Sequence, residues 1–331
     1  MDILQQSYKY GRSPLPQNAY SIPLKTYLFG KSISHSLSPR LQNIMFHHIP
    51  SKWTFHLAEE TDPAVFRKTL EDESCIGTSI TMPSKLSFQP VLDEITDEAR
   101  IMGSVNTVFI RLTDNGQRRY IGTNTDCIGI RDAILAQFPD AVKSSRGRAA
   151  MVIGSGGAAR SAVYALWKWF EPSEIFIVNR DTEETETLIE GFRGTLPEVV
   201  IRNLRSVEEA KACMPFLIVG TVPDFEPKEP GEIIARDIIQ SVIEQTSDAI
   251  VVDMCYSPSV MTSLGVLALR NKLHFITGVS IVVRVNIAQH MLWLEGPPHE
   301  KGLKEALLIG KQVEANALGS FLPSGKTRSA L

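Results

Sequence analysis

Apolar residues in this chain come as short continuous runs that alternate with longer stretches of helical spacing. Runs at Thr26 to Gly30, Trp53 to Leu57, Ile76 to Ile80, Met151 to Ile153, Glu174 to Asn179, Phe216 to Val219, Ala249 to Met254 and Leu273 to Thr277 read as strands. Helical spacing predicts helices at Ser38 to His48, Pro63 to Leu70, Asp93 to Met102, Cys127 to Gln137, Ala158 to Phe170, 182–191, 206–213 and Val260 to Asn271. Two more follow, a long apolar one from Ser280 to Leu294 and another from Leu303 to Leu318. Strands alternating with helices imply parallel, doubly wound sheets in an α/β protein. One pair departs from that rule. Val105 to Ile110 runs into Asp114-Asn115-Gly116 and returns as Arg119 to Thr123, a hairpin signal. Pro223, Pro227 and Pro230 mark a long loop, and residues 1–24, without periodicity, read as a flexible arm.

Around Met151 the pattern gains a chemical meaning. The strand is followed by Gly154-Ser155-Gly156-Gly157-Ala158-Ala159, which fits G-x-G-x-x-A at the start of a helix. The first glycine permits a tight turn, the second lets a pyrophosphate approach the backbone, and the small third residue lets helix pack on strand. The helix N-terminus offers unpaired N–H groups to the phosphates. A glycine-rich turn alone is weak evidence, because any tight strand-to-helix turn needs glycine. Here a second strand follows and ends at Asn179-Arg180-Asp181, where an acid meets an adenosine ribose. A dinucleotide-binding domain of Rossmann type is therefore expected over 143–279, with the polar stretch Lys143 to Arg148 as its linker. The last helices are expected to return to the first domain, making a discontinuous substrate domain of 25–142 and 280–331.

Composition narrows the class without naming it. A length of 331 residues suits two domains, and 43% hydrophobic residues with 21% charged ones suit a globular chain with a full core. A net charge of −3 gives no reason to expect a nucleic-acid or membrane partner. Cys75, Cys127, Cys213 and Cys255 form no C-x-x-C pair, so free buried thiols are expected and no metal site. The start lacks a signal-peptide pattern, and Ser329-Ala330-Leu331 is discounted as a peroxisomal address, which leaves a cytoplasmic expectation.

Three strand ends in the first half carry polar groups. They hold Ser36 and Ser38, Thr81 with Lys85, and Asn106 with Asp126. Open α/β sheets bind ligands at such ends. The serines alone read as turn and cap residues, Lys85 alone as a surface lysine, and Asp126 alone as a helix cap. Together, beside a dinucleotide domain, they suit a small hydroxylated or carboxylated substrate. A lysine whose pKa falls on burial can move a proton.

These segments carry a resemblance. Ser34-His35-Ser36-Leu37-Ser38-Pro39, Thr81-Met82-Pro83-Ser84-Lys85, Gly103-Ser104-Val105-Asn106-Thr107 and Gly122-Thr123-Asn124-Thr125-Asp126 resemble the shikimate/quinate dehydrogenase family. Val152 to Arg160 and Val178-Asn179-Arg180 fit it too, and Val219 to Pro227 looks closest to its fungal quinate dehydrogenase branch. The resemblance spans about residues 26–311. It implies an oxidoreductase that interconverts a ring hydroxyl and a ketone. Lys85 and Asp126 are implied as the catalytic pair. Ser36, Ser38 and Tyr256 would hold the substrate carboxylate, and Thr81, Asn106 and Asp126 its ring hydroxyls. Gly154, Ser155, Gly156, Gly157, Ala158, Asn179, Arg180, Asp181, Thr221 and Gly278 would line the nucleotide.

Two positions depart from the family. Its closing helix carries a glutamine that bonds a ring hydroxyl, and matching Trp293 puts Val285 there, with Arg284 and Asn286 as available compensators. Where NADP-using members place Thr and Arg, this chain has Asp181 and Glu184, so NAD is expected over NADP. The alternatives are a dehydrogenase of specialised metabolism acting on another cyclic substrate, and a non-catalytic regulator that binds the same metabolite. The expected partner is a small cyclic hydroxy acid, and the expected state is a monomer or homodimer.

Overall fold

The structure is a computed structural model that describes residues 3–196 and 199–321. The tail Ser329-Ala330-Leu331 and the end of the second substrate-domain segment, 322–331, lie outside the described residues. The first half runs α1 Ile3–Ser7, β1 Lys25–Phe29, α2 Ser38–His47, β2 Thr54–Ala58, α3 Pro63–Glu71, β3 Cys75–Ile80, β4 Glu94–Ile95 and α4 Asp97–Met102. It continues with β5 Thr107–Leu112, β6 Arg118–Thr123, α5 Asp126–Gln137 and α6 Ala141–Ser145. The second half runs β7 Ala150–Ile153, α7 Gly157–Ala165, β8 Glu174–Val178, α8 Thr182–Phe192, β9 Val200–Asn203, α9 Val207–Ala210 and β10 Leu217–Gly220. It ends with α10 Pro230–Gln245, β11 Ile250–Asp253, α11 Ser263–Arg270, β12 His274–Ile276, α12 Gly278–Leu294 and α13 Glu300–Phe321.

Two six-stranded sheets result, which makes this a two-lobed α/β protein. The first sheet has the order β2-β1-β3-β5-β6-β4 and the second β12-β11-β10-β7-β8-β9. Every pair in the second sheet is parallel. Its order, read from β7 outward, is that of a Rossmann sheet. The direction of winding reverses between β7 and β10, so their carboxyl ends flank a crevice. The first sheet is mixed, because the hairpin β5–β6 is antiparallel, with Thr107 opposite Thr123. β7, β10 and β11 are buried at every residue, as a central parallel strand covered on both faces must be. α12 leaves the second sheet and packs on α5, α2, β3 and β5 of the first half, and α13 lies on α2.

Several expectations change. Residues 3–24 do not form a flexible arm. Leu4, Ala19 and Leu24 are buried, Trp53 Nε1 donates to the Ala19 carbonyl at 2.8 Å, and Arg12 exchanges backbone bonds with Leu112. The buried Arg111 holds the segment further, bonding Ser7 and pairing with Glu295 at 2.9 Å. The proline-marked loop contains a 16-residue helix, α10. Pro230 starts it at the first turn, where its missing N–H costs nothing, and Glu229 and Glu232 form a capping box. Asp93 to Ile95 is not helical. Glu94 and Ile95 pair with β6, and Thr96 caps α4 by accepting from Ala99 N. The linker is partly the helix α6. Among the described residues no helix is long and apolar enough to cross a membrane.

Candidate active site

Lys85, Asn106 and Asp126 come from three separate chain segments and meet in one bonded cluster. Lys85 Nζ lies 2.5 Å from Asp126 Oδ2, and both side chains are largely buried. Asn106 Nδ2 donates to the other oxygen, Oδ1, at 2.7 Å. Asn106 is itself held, since its Oδ1 accepts from Thr125 N and from the Thr107 hydroxyl, each at 2.7 Å. Asp126 opens α5 and donates its backbone N–H to Asn124 Oδ1 at 3.0 Å, so the turn Asn124-Thr125 sets where the carboxylate points. Ion pair and amide together give the carboxylate one charge-assisted partner on each oxygen.

The serine cluster lies at the mouth of α2. Ser38 N donates to Ser36 Oγ at 3.2 Å, and Pro39 occupies the first turn. Tyr256, from the second lobe, bonds Ser36, and burial raises its hydroxyl pKa. The two lobes thus touch at this rim. Thr81 follows β3 and donates its N–H to the Phe29 carbonyl at 2.8 Å. A Cβ on Gly30 would lie 2.4 Å from Thr81 Cγ2, so a larger residue at 30 would displace that side chain.

The glycine turn sits directly against this cluster. A Cβ on Gly157 would lie 2.9 Å from Ser104 Oγ and 3.3 Å from Lys85 Cβ. Ser161 of α7 accepts from Asn124 Nδ2 at 2.9 Å. The amino end of α7 therefore abuts Lys85. Gly154 has φ +112°, and a Cβ there would meet Thr221 Oγ1 at 2.5 Å, so the position demands glycine twice over. Thr221 Oγ1 donates to the Ile153 carbonyl at 2.7 Å, tying β10 to β7 across the crevice. Gly156 faces open space, with no heavy atom within 4 Å of a built Cβ. Gly278, opening α12, comes within 2.7 Å of the Met254 and Cys255 carbonyls in the same construction. Ala158 belongs to the first turn of α7. This turn, with its free N–H groups and open approach at Gly156, fits a pyrophosphate.

At the end of β8 the arrangement differs from the sequence expectation. Asp181 Oδ1 caps α8 by accepting from Glu183 N and Glu184 N at 2.8 and 3.1 Å. The acid that reaches the glycine turn is Glu184, whose Oε2 accepts from Ser155 Oγ at 3.1 Å and Asn179 Nδ2 at 3.2 Å. Arg180 turns away to Glu232 at 2.8 Å. The Asp181 oxygen is taken by two backbone donors as the N-cap, and Glu184, three residues on, is the acid that reaches the turn.

The departure on α12 also resolves. Val285 packs on Gly129, with its Cγ2 2.5 Å from a Cβ built there, one turn along α5 from Asp126. Arg284 bonds the Asp132 and Ser280 carbonyls and so does not compensate for the missing glutamine. Asn286 points the other way and bonds Ser38. Gln289, not anticipated, donates to Thr107 Oγ1 at 2.9 Å and accepts from Ser79 at 3.0 Å. The signal for it was available. Asn286, Gln289 and His290 recur at helical spacing in the mostly apolar second half of this helix, a polar stripe that must find partners. Among the described residues no group of three His, Cys, Asp or Glu is placed to hold a metal ion. The cysteines are free thiols, three of them buried.

Residues 28–108 match the family described as the shikimate dehydrogenase substrate binding domain. Over 284 residues the chain is 31% identical to a quinate dehydrogenase of Emericella nidulans, covering 81% of this chain and 86% of that protein. It is 32% identical over 276 residues to the pentafunctional AROM polypeptide of Pneumocystis carinii, covering 82% of this chain but 17% of that polypeptide. The fold matches the shikimate 5-dehydrogenase of Thermus thermophilus, solved with NADP(H) and shikimate, at a TM-score of 0.67 and 23% identity over 88% of this chain and 99% of that one.

Proposed function

The chain belongs to the shikimate/quinate dehydrogenase family, and from that membership we propose that it is a nicotinamide-dependent dehydrogenase of quinate, shikimate or a close cyclic analogue. The observation that carries the reading is the Lys85–Asp126 pair at 2.5 Å, set beside the amino end of the glycine-turn helix. Residues 25–142 and 280–321 form the substrate lobe in this reading, and 143–279 the nucleotide lobe. Ser36, Ser38 and Tyr256 bind the acid's carboxylate at the rim. Thr81, Asn106 and Asp126 orient the ring hydroxyls.

A bound nicotinamide dinucleotide supplies the two-electron oxidation or reduction. The residues handle the proton. Asn106 holds one oxygen of Asp126, so the other is left to Lys85 and to the substrate hydroxyl that bonds the pair. As the alcohol becomes a ketone its proton passes to the pair, and it returns from the pair in reduction. Gly154, Ser155, Gly156, Gly157, Ala158, Thr221 and Gly278 frame the nucleotide, with Asn179 and Arg180 at its adenosine end.

The cofactor proposed is NAD. Glu184, whose carboxylate reaches the glycine turn, would repel a 2′-phosphate at the end of β8, and the nearby cation, Arg180, is paired with Glu232. Like charges 4 Å apart repel by about 4 kcal/mol at an effective dielectric near 20. A fraction of that favours a free ribose severalfold. Val285 supports a second reading, another cyclic substrate. It puts an apolar wall a turn from Asp126, and a hydroxyl facing it without a partner costs about 1–3 kcal/mol.

The test is direct. Purified protein is given NAD or NADP with quinate and then shikimate, and absorbance of the reduced nucleotide is followed. Turnover with NAD on at least one acid is expected. No reduction in any of the four combinations, from folded protein, refutes the dehydrogenase reading for these acids.

A further inference from the structure

Four buried polar side chains run from the interior of the substrate lobe to its rim. Ser38, Gln42, Asn286 and His290 are exposed by 6% at most. Their hydrogens can be assigned, because backbone carbonyls anchor the two amides. Asn286 Nδ2 lies 2.8 Å from the Val282 carbonyl, which only accepts, so that atom is the amide nitrogen. Its second hydrogen points to Ser38 Oγ at 3.1 Å. Gln42 Nε2 faces the Asn286 carbonyl at 2.8 Å and Asn286 Oδ1 at 3.1 Å, which occupies both its hydrogens. Gln42 Oε1 can then only accept, so the ring nitrogen 3.1 Å away, His290 Nδ1, carries the proton. His290 Nε2 is buried without a partner, and burial lowers the imidazole pKa to about 3, so the ring is neutral.

Every bond in this series runs one way, from His290 to Gln42 to Asn286 to Ser38. An isolated serine hydroxyl rotates to suit either a donor or an acceptor. At Ser38 the Asn286 amide fills one of the two acceptor positions of the oxygen, which biases the hydroxyl hydrogen away from Asn286. The Ser38 hydrogen has no acceptor among the described residues, and it lies beside Ser36 at the rim where Tyr256 closes over.

We propose that Asn286 is a positioning residue that, held by Gln42 and His290, fixes the Ser38 hydroxyl as a donor toward the substrate's anionic end. The proposal rests on the reading of Ser38 as a carboxylate ligand. It makes the site selective for an acid over the same ring with a neutral substituent. Asn286 touches neither substrate nor nucleotide, so it acts on binding and leaves the reacting atoms alone.

A double-mutant cycle tests it. KM for the acid that is turned over, and the inhibition constant of that acid with its carboxylate reduced to hydroxymethyl, are measured for Asn286→Ala, Ser38→Ala and the double variant. Loss of one bond to a charged group corresponds to about tenfold in affinity. Asn286→Ala is expected to raise KM by about that factor, with kcat within about twofold and the neutral analogue unaffected. It should add nothing in the Ser38→Ala background. Equal weakening of the neutral analogue, or additive effects in the double variant, marks a merely structural role and overturns the proposal. A raised KM in Ser38→Ala with an unchanged one in Asn286→Ala overturns the relay alone. An unchanged KM in Ser38→Ala removes the carboxylate reading and the relay with it. If Asn286→Ala does not accumulate folded, Asn286→Ser is read the same way, because its shorter hydroxyl returns to the Val282 carbonyl and does not reach Ser38.

Discussion

The two lobes hold their candidate ligands by different means. In the substrate lobe the groups are side chains, each fixed by another side chain. Asn106 holds Asp126, Thr107 holds Asn106, and Gln289 holds Thr107. In the nucleotide lobe the groups are backbone N–H donors at a glycine turn, and of the nearest side chains Ser155 is buried while Asn179 and Glu184 reach solvent. A buried network is sensitive to the loss of one member, because the remaining groups are left without partners. A backbone cradle tolerates changes around it, and its exposed rim adjusts preference in small steps.

The contrast can be broken from either side. Lys85→Ala removes the cation from the substrate-lobe cluster, and kcat should fall by about two to four powers of ten, the usual range for a proton-transfer group. Binding of the acid should suffer less. Near-normal turnover in that variant would show that the pair is structural and that the side-chain network is not where the chemistry lies. On the other side, Glu184→Arg should shift the ratio of kcat/KM for NAD over that for NADP by about ten- to a hundredfold toward NADP, with kcat little changed. An unchanged ratio means that the end of β8 does not read the ribose.

The smallest effect concerns pH, where the lobes should respond with opposite signs. Burial lowers His290 in the substrate lobe from 6.5 to about 3. Between those values the unfolded chain binds the proton and the folded one does not, so stability is lost as pH falls from about 6.5 toward 3. Burial raises Asp253 in the nucleotide lobe from 3.8 to about 6, against opposing bonds from Thr262 and Cys255 N. Its contribution is fully present below pH 3.8 and is lost as pH rises through 6. Asp253→Asn keeps the shape of the protonated acid. It should raise Tm by a few degrees at pH 8 and bring little gain near pH 4, as calorimetry across that range would show. His290→Asn should flatten the acid-side loss. A gain from Asp253→Asn that is the same at both pH values would mean that the carboxyl is ionised throughout.

Much of the fold was legible because its signals are local. The hairpin at Asp114-Asn115-Gly116, the buried run Met151 to Ile153 and the glycine turn each follow from steric rules acting within a few residues. The errors fell where local rules gave two answers. Pro230 ends a loop or starts a helix, and only the apolar face of Ala235, Ile238 and Val242 against the second sheet decided for the helix. Residues 3–24 have no periodicity, yet Trp53 and Arg111, distant in sequence, bind them down.

For the site, the residue types were set by the sequence and their directions by the tertiary structure. Ser38, Lys85, Asn106 and Asp126 stand at predicted strand and helix ends, and together, beside a dinucleotide domain, they suit a hydroxylated or carboxylated substrate, while their separate roles are what the family resemblance implies. Which way each group points does not follow from that placement. Whether Asp181 or Glu184 reaches the glycine turn depends on two backbone donors at the start of α8. The group that donates to the Ser38 hydroxyl is Asn286, which is 248 positions away along the chain. A hydrogen bond's direction is a property of both partners, and a sequence pattern spanning one element contains only one of them.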